Sequence, residues 1–264
     1  MEAADVKKKL MAALEHEPRV NLHRDRVEVD FADGAATLSG EVSDIAAKKL
    51  TLEYAAALPA VSAVVDRLRV RPTQQLGDGA IAAHIERDMF EESSFGGFVI
   101  STRTGDGETE KQGEKAEPSS YSRNPPRLEE ASGRSSAENA RGPSSWIEIR
   151  VEDGVVTLDG DVPSLSHKRL AGALAWWAPG TRDVIDGLGV EPEEQDTDDE
   201  ILDALRIVLD KDRLVDTSQI MARCENGVIT LEGLAVTDSQ RDLVEMDAWA
   251  LFGVNKVVNR IEVR

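Results

Sequence analysis

The chain has 264 residues, 50 of them acidic and 31 basic, for a formal net charge of -19. That balance opposes non-specific attraction to nucleic acid or anionic lipid, so any such contact needs a local basic patch. A single cysteine, Cys224, excludes an intramolecular disulfide and a cysteine-based zinc cage, and no apolar run reaches the roughly 18 residues that span a bilayer.

The N-terminal MEAADVKKKLMAALEHEP places lysines early with no apolar stretch after them. The chain as given is therefore expected to be unexported and cytoplasmic, or periplasmic if a leader has been removed. Within this segment VKKKLMAAL has helical spacing. Val27, Val29 and Phe31 then alternate with Glu28 and Asp30, the period of a strand with one buried face. Asp33-Gly34 favours the positive φ angles of a tight hairpin, AATLS makes the return strand, and Asp44 is placed to cap a helix. That helix, IAAKKLTLEYAAAL, lacks Pro and Gly, and a third strand, VVDRLRV, closes the unit before Pro72.

After the connector RPTQQLGDG, AIAAHIERDMF reads as a second first helix. The segment from about 97 to 144 is read as a disordered insert, because its middle has almost no aliphatic residues with which to offset the entropy of ordering. The pattern resumes with IEIRVEDGVVTLDG (147–160), a helix capped by Ser164, and VIDGLGV. Beyond the connector EPEEQDTDD, a third copy runs through EILDALRIVL, IMARCENGVITLEG (220–233), a helix capped by Thr237, and VVNRIEV.

These copies superimpose without a gap. Each has a turn glycine (Gly34, Gly154, Gly227) followed six residues later by a second glycine (Gly40, Gly160, Gly233), and the register holds a further 20 residues to Ala60, Gly180 and Gly253. The expected fold class is α+β: three repeats of an αββαβ module, each a three-stranded mixed sheet covered by two helices. The modules span 1–72, 78–192 with the insert, and 196–264. At about 70 residues each is near the lower limit for independent folding, so contacts between modules should matter.

The strand, Asp-Gly, strand, Gly, helix and terminal V-x-N-x-I-x-V strand, best seen in NGVITLEG and FGVNKVVNRIEV, resembles the BON domain, named after bacterial osmotic-shock and nodulation proteins. The resemblance covers nearly the whole chain outside the insert and is weakest in the first copy, where Ala60 replaces the usual glycine. It implies a non-catalytic binding or scaffolding role, often linked to the bacterial envelope, osmotic stress or phospholipid contact. Many members are exported, from which the missing leader departs.

Candidate chemistry is sparse. His16, His23, His84 and His167 form no metal-ligand spacing, and no nucleophile elbow, phosphate loop or dinucleotide fingerprint is present, so no catalytic or metal residue and no cofactor is assigned. Cys224 aligns with Phe31 and Val151 and is expected to fill an inward position. Asp66, Asp186 and Asn259 recur at one place on the third strand; Asn cannot replace Asp as a base, so a backbone-fixing role is expected. Leu50, Leu170 and Leu243 share one helix position and are expected in the core.

Two binding classes remain. Residues 1–72 hold 11 basic against 12 acidic residues, while residues 196–264 hold 8 against 15, so an anionic phospholipid contact would fall on the first module. Its residues would be Lys7, Lys8, Lys9, Lys48 and Lys49, provided that they share a face. A protein partner, or contact between the modules themselves, would use Trp176, Trp177 and Trp249. Adjacent tryptophans on one helix cannot both point inward. A nucleic-acid partner is not expected.

Overall fold

The structure, a computed structural model, describes residues 3–104, 145–212 and 214–264. The first module comprises α1 (Ala3–Leu14), β1 (Arg26–Ala32), β2 (Ala35–Val42), α2 (Ile45–Ala56) and β3 (Ala63–Val70). The second has α3 (Asp78–Glu91), a short 3₁₀ turn, β4 (Val99–Thr104), β5 (Trp146–Glu152), β6 (Val155–Val162), α4 (Leu165–Trp177) and β7 (Asp183–Val190). The third repeats the first as α5 (Asp198–Lys211), β8 (Ile220–Glu225), β9 (Val228–Ala235), α6 (Asp238–Ala250) and β10 (Lys256–Val263).

Each module contains the expected three-stranded mixed unit, a hairpin whose second strand also pairs in parallel with the strand after the crossover helix, but the second module departs from the expectation in that its sheet has a fourth strand, in the order β4-β5-β6-β7. Asp33, Asp153 and Asn226 have φ of 50°, 52° and 53°, and each is followed by a glycine that also has positive φ, so two consecutive left-handed residues turn every hairpin. The second repeated glycine has a different cause. A Cβ on Gly40, Gly160 or Gly233 would stand 1.7, 2.1 or 2.0 Å from the carbonyl oxygen of Arg26, Trp146 or Gln219, so only glycine lets the hairpin strands approach there. The expected caps are in place, with the side chains of Asp44, Ser164 and Thr237 accepting from the amides of Ala47, His167 and Gln240.

One boundary of the expected insert is corrected. Residues 97–104 are ordered, because Val99–Thr104 forms β4 and pairs in parallel with β5, from Val99 opposite Trp146 to Thr104 opposite Val151. Phe95 and Phe98 anchor this strand: their rings meet edge to face at 5.3 Å, and Phe98 also stacks on His167 at 5.7 Å. The rest of the insert, 105–144, lies outside the described residues.

The modules do not stand apart. One continuous apolar core runs through all three, with α4 against α5 and α6, and α2 against α6. The backbone joins in as well, since the Val70 amide donates to the Arg182 carbonyl at 2.8 Å.

Candidate functional site

The two helices after the first two hairpins carry cations at matching places, and the fold uses all of them to fasten modules together. Lys48 is 5 % exposed. Its Nζ donates to the Leu68 carbonyl at 2.7 Å and lies 2.7 Å from Asp66 and 2.9 Å from Asp183, the last belonging to the second module. Arg69 completes the cluster at 2.8 Å from Asp183. The equivalent Lys168 donates to the Leu188 carbonyl at 2.7 Å and stands 5.1 Å from the ring centre of Phe252 in the third module.

One residue further on, Lys49 and Arg169 reach the same loop of the third module. Lys49 donates to the carbonyls of Leu251 at 2.7 Å and Val254 at 3.2 Å, and Arg169, fully buried, donates to the Phe252 carbonyl and pairs with Asp196. These carbonyls lie at the C-terminal end of α6, where the helix dipole favours positive charge. Burial pushes the Lys49 ammonium down to about 7. Two members of the expected lipid-binding patch are therefore corrected: Lys48 and Lys49 point into module contacts, because α2 is packed on more than one side. Lys7, Lys8 and Lys9 are exposed on α1, and Lys9 lies 3.3 Å from Asp5.

The recurring polar residue of the third strand fixes backbone in all three copies. Asp66, Asp186 and Asn259 each accept the amide two residues on, from Leu68, Leu188 and Ile261, at 2.9 to 3.1 Å. Burial raises the Asp186 carboxyl to about 6, partly opposed by Lys168. Cys224 is half-buried and donates to Asp198 at 3.3 Å, and burial with that carboxylate pushes its thiol up to about 11, away from reactivity. Asp198 itself accepts the hairpin amides of Asn226 and Gly227, as Asp78 does for Asp153 and Gly154.

Of the three tryptophans, Trp249 is corrected: at 1 % exposure it is a core residue, donating to Glu245. Glu245 in turn pairs with Arg19 of the first module. Trp176 and Trp177 are half-buried and line a cleft of about 1090 Å³ to which all three modules contribute. Its walls come from the start of α2 and end of β3, from α3 and the end of α4, and from the end of α5 and the middle of α6. Leu243, expected in the core beside Leu50 and Leu170, is half-buried because it lies on this wall.

The Trp177 indole N–H donates to Asp247 Oδ1 at 2.8 Å, from the second module to the third. Asp247 is 2 % exposed, and its Oδ2 is buried with no donor. Burial, with the neighbouring carboxyl of Asp212, pushes Asp247 up to about 8, against the lowering effect of the Trp177 bond. Reasoning from sequence passed over Asp247, although one signal existed. It occupies the position that holds Tyr54 and Leu174 in the other copies, so a carboxylate stands where the repeat puts a large side chain. Chemically, the cleft offers aromatic surface at Trp176 and Trp177, apolar surface that includes Leu214, and several carboxyls among them.

The family model for the BON domain matches three regions, 2–72, 128–192 and 197–264. No curated protein matches the chain. Two solved structures of CdsD, a structural protein of the type III secretion system of Chlamydia trachomatis, align at 14 % identity and a TM-score of 0.23. The first, its C-terminal domain, covers 100 % of both chains; the second covers 98 % of this chain and 92 % of its own.

Proposed function

Because the chain belongs to the BON domain family, we propose that it is a non-enzymatic binding or scaffolding protein that holds its partner at the cleft shared by the three modules. The observation that carries this reading is how the repeated polar residues are used. Lys48, Lys49, Lys168, Arg169 and the Asp66, Asp186 and Asn259 series are all committed to holding the modules and their strands together, and Trp176 is left facing a concave surface built from all three modules. An envelope or osmotic-stress setting is the expectation that the family carries. Peripheral binding to anionic phospholipid is left with Lys7, Lys8 and Lys9 alone, three exposed cations that could contribute about 1 kcal/mol each at an anionic surface.

Immobilised full-length chain, wild type and Trp176→Ala, should be compared for capture of partners from a bacterial lysate, with anionic vesicles as a parallel bait. A partner retained by the wild type and lost by a Trp176→Ala protein of unchanged urea midpoint supports the cleft. Capture indifferent to Trp176, or sedimentation with vesicles that disappears on replacing Lys7, Lys8 and Lys9, overturns it.

A further inference from the structure

We propose that the three-module cleft seats a positively charged segment of a partner protein, with a lysine or arginine side chain laid along Trp176 and its charge held at Asp212 and Asp247. This rests on the scaffold reading above and adds the chemistry of the partner.

Charge complementarity is the first argument. Among the described lining residues seven are acidic and three basic; Arg87 pairs with Asp88 at 2.9 Å and Lys211 with Glu92 at 3.1 Å, which leaves five carboxyls and Arg71. The second argument is Asp247 itself. Its Oδ1 is satisfied by Trp177, its Oδ2 is buried without a partner, and the neighbouring Asp212 carboxyl adds to burial in keeping the group protonated. An ammonium or guanidinium arriving there displaces the proton that burial keeps on Asp247 and supplies the carboxylate with both a hydrogen bond and the opposite charge.

The rim defines the rest of the occupant. Trp176 is half-buried and Leu214 is 68 % exposed, so the lining sets apolar and aromatic surface beside carboxyls, of which Glu91 and Asp210 are exposed and Asp247 is buried. Lysine and arginine have that combination, an apolar stem with a charged head, and an aromatic face attracts the head as well. The same chain already places Lys168 over Phe252 at 5.1 Å. At about 1090 Å³ the cleft has room for a long side chain together with the backbone that carries it.

The test uses the full-length chain and a fluorescein-labelled tetra-arginine peptide, followed by anisotropy at low and physiological salt. Since a chain of net charge -19 attracts any polycation, two variant pairs that each remove two carboxyls are compared at pH 9, where Asp247, held up to about 8, carries its charge. Asp212→Asn with Asp247→Asn alters the cleft, and Glu15→Gln with Glu28→Gln alters exposed positions elsewhere. The expected result is saturable binding, weakened about tenfold or more by the cleft pair and by Trp176→Leu, and by no more than about twofold by the distant pair. Asp210→Asn, at an exposed lining position, gives an independent reading should the buried pair disturb folding. Equal loss in the two pairs, or no saturable binding, overturns the proposal. If a lysate partner still depends on Trp176 while tetra-arginine ignores the cleft, the scaffold reading stands and only the cationic chemistry falls.

Discussion

Replacing Lys48 by methionine keeps the buried stem and removes the charge, isolating the ion cluster that joins the first two modules. The ammonium, whose side chain is 6 % exposed, holds the Leu68 carbonyl, Asp66 and Asp183 within 2.7 to 2.9 Å. Removing one partner of a buried pair costs about 3–5 kcal/mol, because the other charge is stranded. Two features place this case at the low end. Arg69 remains 2.8 Å from Asp183, and the Asp66 side chain is 33 % exposed, so water takes over part of its solvation. The expected loss is about 3 kcal/mol at pH 7, read from urea denaturation of the full chain.

A second signature separates charge from packing. Burial already raises the Asp183 carboxyl and Lys48 opposes that rise, so without the lysine Asp183 should be protonated more readily. The deficit of the variant should therefore shrink as pH falls. Adding Asp183→Asn should recover part of the loss, giving a coupling between the two sites. A loss below about 1 kcal/mol at pH 7, with the two substitutions additive, would refute the account of this cluster.

The Asp247 carboxyl has a folded pKa of about 8 against an ordinary 3.8, so its contribution is fully present below the ordinary carboxylate range and is lost as pH rises through 8. The wild type should accordingly have a lower urea midpoint at pH 9 than at pH 5, and Asp247→Asn, which mimics the neutral acid, should reduce that difference. Leu50→Ala and Leu170→Ala, at 7 % and 2 % exposure, should each cost about 2–5 kcal/mol, whereas Leu243→Ala on the cleft wall should cost less, as chemical denaturation can check. Residues 1–72 produced alone should lack a cooperative thermal transition, because Lys48 and Lys49 lose partners in the other two modules; a sharp transition with native-like circular dichroism would contradict this.

The single module was legible in the sequence because its signals are local. The Asp-Gly and Asn-Gly turns, the caps at Asp44, Ser164 and Thr237, and the alternation of Val27, Val29 and Phe31 each report on a few neighbouring residues. The docking of modules was not legible, since Lys49 and Arg169 bind backbone carbonyls, which leave no mark on composition. Lys48 and Lys49 read as a surface patch because helical lysines usually are one. The contrary hint was that α2 has little polar face: Ile45, Ala46, Ala47, Leu50, Thr51 and Ala55 are all buried beside Lys48, as in a helix enclosed on several sides. The strand Val99–Thr104 was hidden by the polar run immediately after it.

The loop from Leu251 to Val254 has a consequence for the order in which the protein can be made. Lys48 and Lys49 are synthesised early, yet the acceptors that complete their bonding, beyond Asp66 and Leu68 around Lys48, are Asp183 and the loop before β10. Multidomain chains generally fold their N-terminal unit first as it leaves the ribosome. Here the first module emerges before the second and third with two helix cations whose partners there do not yet exist, and it must wait until Val254 has been translated. The three copies are therefore not beads that can be shuffled, shortened or extended by one repeat, as a linear array can. Adding a fourth copy at the C-terminus would supply no further socket for Lys49 or Arg169, and removing the third would leave both unhoused.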